Sequence, residues 1–95
     1  MTKSIIQDEK ICFKCGTPFG LHKHHICEGT GRRKHSEEDG LWVWLCGVHH
    51  NLSNQGVHFD KKFDLALKKY AEAKWLDHYG KTIEDWIKRY DRNYL

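Results

Sequence analysis

The chain has 95 residues, of which 39% are hydrophobic and 31% charged, with a single proline. That profile excludes a disordered tail, a collagen-like repeat and a low-complexity linker, and it sets one domain as the default. Sixteen basic residues against thirteen acidic ones leave a net charge of +3, which suits a nucleic-acid partner without requiring one. No apolar stretch reaches the roughly 18–20 residues of a membrane span, and residues 1–10 carry no apolar signal-peptide core. A cytoplasmic protein with no membrane partner is expected, its first ten residues forming a flexible lead.

Along the chain, the first feature is Cys12-Phe13-Lys14-Cys15-Gly16, where the glycine suits the tight turn of a two-thiolate knuckle. His24-His25-Ile26-Cys27 follows as a short strand. Residues 28–40 contain three glycines and many charged side chains, so they read as a long hairpin loop. Leu41-Trp42-Val43-Trp44-Leu45 reads as a second strand, and a short helix is expected from about Cys46 to Ser53. Phe63, Leu67, Ala71, Trp75 and Tyr79 then recur every four residues, with Tyr70 and Leu76 beside them, which predicts a helix closed by Gly80. Thr82 three residues before Asp85 predicts the N-cap of another, with Ile83, Trp86, Ile87 and Tyr90 on its apolar side. Both aromatic stripes read as core packing. Residues 11–60 therefore hold the chemistry and 61–95 the supporting helices.

Eight histidines is a high count for this length, and seven of them lie between His22 and His58, among the four cysteines. In a reducing compartment cysteine with histidine reads first as metal. Cys12-x-x-Cys15 and Cys46-x-x-His49 are two paired-ligand knuckles, and three thiolates with one imidazole is a structural zinc set. Such a site would offset the thin core of a small domain, because metal binding is coupled to folding. Cys27 fits neither knuckle and reads as a small buried strand residue. His24, His25, His50 and His58 remain, with His22 and His35 in reserve. Neighbours on a strand point to opposite faces, and His50 is rotated about 100° from His49 on a helix. These pairs permit a second, open metal site beside the closed one, with a histidine base available.

The joint pattern of the C-x-x-C, His24-His25-Ile26, Gly29-x-Gly31-Arg32-Arg33 and Gly40-Leu41-x-Val43-x-Leu45-Cys46-x-x-His49-His50 resembles the HNH endonucleases. It is most similar to the phage-type branch of RecA-dependent recombination nucleases, as are Gly56-Val57-His58-Phe59-Asp60 and Asn93-Tyr94-Leu95. The resemblance implies an α+β fold: a small zinc-stabilised ββα-metal (His-Me finger) domain with additional C-terminal helices. It implies DNA as substrate, a recombinase filament as a candidate partner, and one catalytic Mg²⁺, Mn²⁺ or other divalent ion. By similarity His25 is the general base, while His24, His50 and His58 hold the catalytic ion. Arg32, Arg33 and Lys34, read as loop residues, become candidates for phosphate contacts. The acidic run from Glu37 to Asp39 is expected to face water or pair with them. The family's base-orienting asparagine has no counterpart ahead of the second strand, where Ser36 and His35 are the substitutes at hand. A zinc-stabilised module that binds nucleic acid or protein without cutting is the competing expectation.

Overall fold

The structure, a computed structural model, describes residues 3–29, 31–50 and 60–95. Two antiparallel strands, β1 (Leu21–His25) and β2 (Trp42–Cys46), form the only sheet among them. Aromatic and branched residues of β2 fit a pleated, half-buried surface. The register sets His24 opposite Val43 and His25 opposite Trp42. One sheet face therefore carries His22, His24, Val43 and Leu45, and the other carries Lys23, His25, Trp42 and Trp44. Val43 and Leu45 are fully buried, so the first of these faces looks into the core. The first strand starts earlier than expected and ends at His25. Cys27 is buried as expected but lies beyond the strand, not within it.

The expected loop over 28–40 is corrected: it contains a helix, α1 (Arg32–Asp39). The helix carries no apolar stripe, which is why its periodicity is invisible in sequence. Polar side chains hold it instead. Ser36 is fully buried, and its Oγ donates to Cys27 O at 2.8 Å while accepting from Cys27 N at 3.2 Å. Gly40 closes the helix at φ 74°, where its amide donates to Ser36 O. A Cβ at Gly40 would run into the backbone oxygen of Lys3, so glycine is required there twice over.

A one-turn helix, α2 (Gly47–His50), follows β2 directly; the rest of the helix expected to Ser53 lies outside the described residues. The helix α3 (Lys61–Tyr79) begins where Asp60 Oδ1 accepts from the amides of Lys62 and Phe63, and stops at Gly80 at φ 62°. Leu67, Ala71 and Trp75 of the expected stripe are buried, whereas Tyr70 and Tyr79 stay partly exposed. The last helix, α4 (Ile83–Tyr90), has the expected capping box of Thr82 and Asp85. Its apolar face divides: Trp86 and Tyr90 are fully buried, while Ile83 and Ile87 face outward. Trp75, Trp86 and Tyr90 form an aromatic cluster with ring centroids 4.2–6.2 Å apart.

Both ends of the described chain are tied down. Ser4 Oγ donates to Trp42 O at 2.6 Å, Ile5 N to Gly40 O at 2.9 Å, and Trp44 N to Gln7 Oε1 at 2.9 Å. Residues 3–10, expected as a loose lead, thus lie along β2. At the other end Tyr94 N donates to Oε1 of the buried Glu72 at 2.7 Å. Among the described residues no helix is long and apolar enough to cross a membrane.

Candidate metal centre

The first knuckle is built by its backbone. Gly16 N returns to Cys12 O at 2.8 Å with Gly16 at φ 80°, and Cys12 N donates to Thr17 O at 2.8 Å. Phe13 N donates to Trp44 O, which sets the knuckle against the end of β2 where Cys46 lies. The first turn of α2 then carries His49 back over the same point. Cys15 Sγ lies 3.7 Å from Cys46 Sγ, and His49 Nδ1 lies 3.2 Å from Cys46 Sγ and 3.7 Å from Cys12 Sγ. All four ligand atoms fall within 4.8 Å of one another.

These spacings match a tetrahedral ion. Metal–sulfur bonds of about 2.3 Å give sulfur–sulfur edges of about 3.8 Å, and mixed sulfur–nitrogen edges of about 3.5 Å. The electrostatics agree. Desolvation pushes the Cys12 thiol up, but the amides of Cys46, Cys15 and Lys14 outweigh it and bring the thiol down to about 6. The Thr17 amide pulls the Cys15 thiol down, yet desolvation and the sulfurs of Cys12 and Cys46 push it up on balance. Three thiolates this close repel one another unless a cation lies between them. The cluster can hold a metal such as zinc, and it is the only such group of three or more ligands among the described residues. Cys27 stays apart, its thiol pushed up to about 12 chiefly by burial.

The remaining histidines divide across the sheet. His24 is buried and meets His50 of α2 edge-on, with ring centroids 5.4 Å apart. His22, on the same sheet face, brings its Nδ1 to 3.0 Å from His50 Nδ1. That separation is a hydrogen-bond distance, one ring nitrogen donating to the other. The ring nitrogens of His22, His24 and His50 are of the donor type that metal ions take. They meet in pairs, and the described residues do not gather them into a closed set. His58 lies outside the described residues.

His25 turns the other way, towards α1. Its Nε2 is 3.1 Å from Glu37 Oε2, and Lys23 Nζ donates to Glu37 Oε1 at 2.7 Å. The Lys23 bond, with a smaller contribution from His25 against opposing desolvation, holds the Glu37 carboxyl below its ordinary range. Around this pair runs a groove of about 660 Å³, also lined by Arg33, Lys34 and Glu38. Arg32 does not line it. Its guanidinium packs over Gly29, and its charge bears on Cys27 and Tyr94. The three cations expected in a loop therefore lie on the first turn of α1 and diverge, with two in the groove and one turned inward.

His35 has a structural position, its Nδ1–H donating to Arg89 O at 3.0 Å and its ring edge-on to Tyr90. The acidic run does not pair with Arg32 or Arg33. Glu37 takes Lys23 and His25, while Asp39 takes Arg89. Glu37 is the site residue that spacing alone does not reveal, because it reaches His25 only once residues 28–40 are helical. Comparisons of the chain with protein-family models, curated proteins and solved structures return no match.

Proposed function

We propose that the chain is a metal-dependent DNA endonuclease of the HNH, ββα-metal type, stabilised by zinc at Cys12, Cys15, Cys46 and His49. The observation that carries this reading is the division of two adjacent histidines. His24 lies with His50, as a pair of ion ligands would, and His25 opens on a groove with Arg33 and Lys34. A divalent ion held by His24 and His50, with His22 or His58 as a further ligand, would polarise the scissile phosphate and stabilise the leaving oxygen. Glu37 would accept a hydrogen bond from His25 Nε2–H, which leaves Nδ1 as the basic nitrogen able to take a proton from water. Arg33 and Lys34 bind flanking phosphates. The tether normally supplied by the family's asparagine falls to Ser36, whose hydroxyl grips both backbone atoms of Cys27, two residues past His25.

The second reading is a zinc-stabilised nucleic-acid-binding module that does not cut. One observation favours it: the pleat turns His25 and His24 to opposite faces, so base and ion converge on one phosphate only if the end of β1 turns. Plasmid nicking with Mg²⁺ or Mn²⁺ separates the two. Wild type should nick, and His25→Ala should lose about 10²–10⁴-fold whatever the ion concentration. His50→Ala should lose activity that higher Mn²⁺ partly restores. If wild type cuts no DNA form with any divalent ion, with or without a recombinase filament, the binding module is the correct reading.

A further inference from the structure

The side of the sheet that carries His25 also carries a second cavity, of about 430 Å³, which the endonuclease reading does not use. Its walls are Trp42 and Trp44, one residue apart on that face, and the strip of residues 3–10 lying along β2. The two indoles meet at 85° with centroids 5.5 Å apart, so they form a right-angled corner. Trp42 is 8% exposed and serves as the inner wall, while Trp44 is partly open to solvent.

The rim is cationic. Lys10 Nζ stands 4.8 Å from the centre of the Trp44 ring, and Lys23, which does not itself line the cavity, stands with its Nζ 4.1 Å from that of Trp42. Lys3 lines the same cavity, against one carboxylate, Asp8. Lys3 and Lys10 are exposed and carried on long stems, so they can leave the ring face for a phosphate. Position links this corner to the first groove. Trp42 is the cross-strand partner of His25, and Lys23 bridges the two, lying over Trp42 while bonding Glu37.

We propose that the Trp42–Trp44 corner takes the base of an unpaired nucleotide, so that the DNA engaged by this chain is single-stranded or locally opened next to the cleaved phosphate. This rests on the endonuclease reading and names its substrate class. An indole face with lysines around it is the common means of binding single strands, because every base offers a π-face whatever its identity. The bases of an intact duplex are stacked on their neighbours and cannot enter such a corner without being turned out. The strand then runs from Arg33 and Lys34, past His25, into the corner. Low sequence preference follows, since stacking does not read base edges.

The test is binding without added divalent ion, so that no cleavage is needed for the readout. Single-stranded oligonucleotides carrying one 2-aminopurine, moved stepwise along the strand, should show quenching on stacking when mixed with the metal-loaded protein; a duplex of the same length should not. Trp44→Ala should weaken the single strand by about 5- to 150-fold, with Trp44→Phe retaining most of the affinity and duplex binding unchanged. Absence of quenching at every position overturns the proposal, and this arm needs no variant to fold. So does a folded, metal-loaded Trp44→Ala protein that binds the single strand within about twofold of wild type. Failure of the nuclease reading looks different: quenching and Trp44 dependence persist, but no DNA form is nicked.

Discussion

Arg89 reaches back fifty residues to grip both carboxylate oxygens of Asp39, its Nε to Oδ2 at 2.5 Å and its Nη2 to Oδ1 at 2.9 Å. Trp75 Nε1 and Tyr90 OH donate to the same Oδ2 at 2.8 and 2.7 Å, and Tyr79 OH donates to the Asp39 carbonyl. One aspartate at the end of α1 thus joins it to both α3 and α4.

Asp39→Ala should therefore cost far more than a surface ion pair, about 3–5 kcal/mol, because it strands a buried Tyr90 hydroxyl and an indole N–H. Urea unfolding of the metal-loaded protein measures it. A loss under about 1 kcal/mol would reduce the interaction to an ordinary surface pair.

Metal removal should unfold the domain. Purified protein should carry one zinc per chain, and strong chelation at neutral pH should abolish the cooperative thermal transition. Cys46→Ser should do the same without chelator. A chain purified without zinc, with a transition indifferent to chelator, would mean that the four ligands hold no structural ion.

The divergence of the α1 cations separates two variants. Arg33→Ala combined with Lys34→Ala should lower the slope of log K against log salt by about 0.9 for each duplex phosphate the protein no longer neutralises. Arg32→Ala should leave that slope alone and lower stability instead, since its side chain lies over Gly29 near Cys27 and Tyr94. Equal slope changes in both proteins would contradict the assignment.

The depressed Glu37 carboxyl fixes the sign of an acid effect. A carboxyl whose folded value lies below its unfolded value of about 4.3 contributes stability above that pH, and loses it as pH falls through the folded value. Glu37→Gln should thus destabilise at about pH 6, with the gap to wild type narrowing as pH falls below about 4.3 and closing below the folded value. The side chain is 36% exposed, so the gap near neutrality should stay under about 1 kcal/mol. Parallel stability curves down to about pH 3 would show that Lys23 and His25 do not hold Glu37 in solution.

Much of this architecture is legible in the residues. The knuckle spacing gathers Cys12, Cys15, Cys46 and His49 correctly, because x-x spacing has a local geometric cause. The end of α3 and the start of α4 follow from Gly80 and Thr82, which are local chemistry too, whereas the start of α3 at Asp60 emerges only from the structure. Helix α1 is hidden because its anchors, Ser36, Glu37 and Asp39, are polar and find partners far along the chain. For the same reason the roles of Glu37 and Arg32 are not legible: each depends on a turn of helix where glycines and charges suggest a loop. The outward turn of Ile83, Ile87 and Tyr70 is likewise a tertiary outcome, since periodicity names a face but not how much of it a small neighbour can cover.

The position of the metal ligands along the chain has a consequence for the order of assembly. All four lie between Cys12 and His49, so the ion can close its loop while the ribosome is still making α3. Asp39 and Glu72 must wait longer: the first for Trp75, Arg89 and Tyr90, the second for the amide of Tyr94. Until residue 90 emerges Asp39 lacks its full set of partners, and until residue 94 emerges the carboxylate of Glu72, destined for burial, remains in water. A nascent chain whose first 60 residues have cleared the tunnel should already retain zinc, yet cooperative unfolding should appear only once the last helix and the segment behind it are free of it.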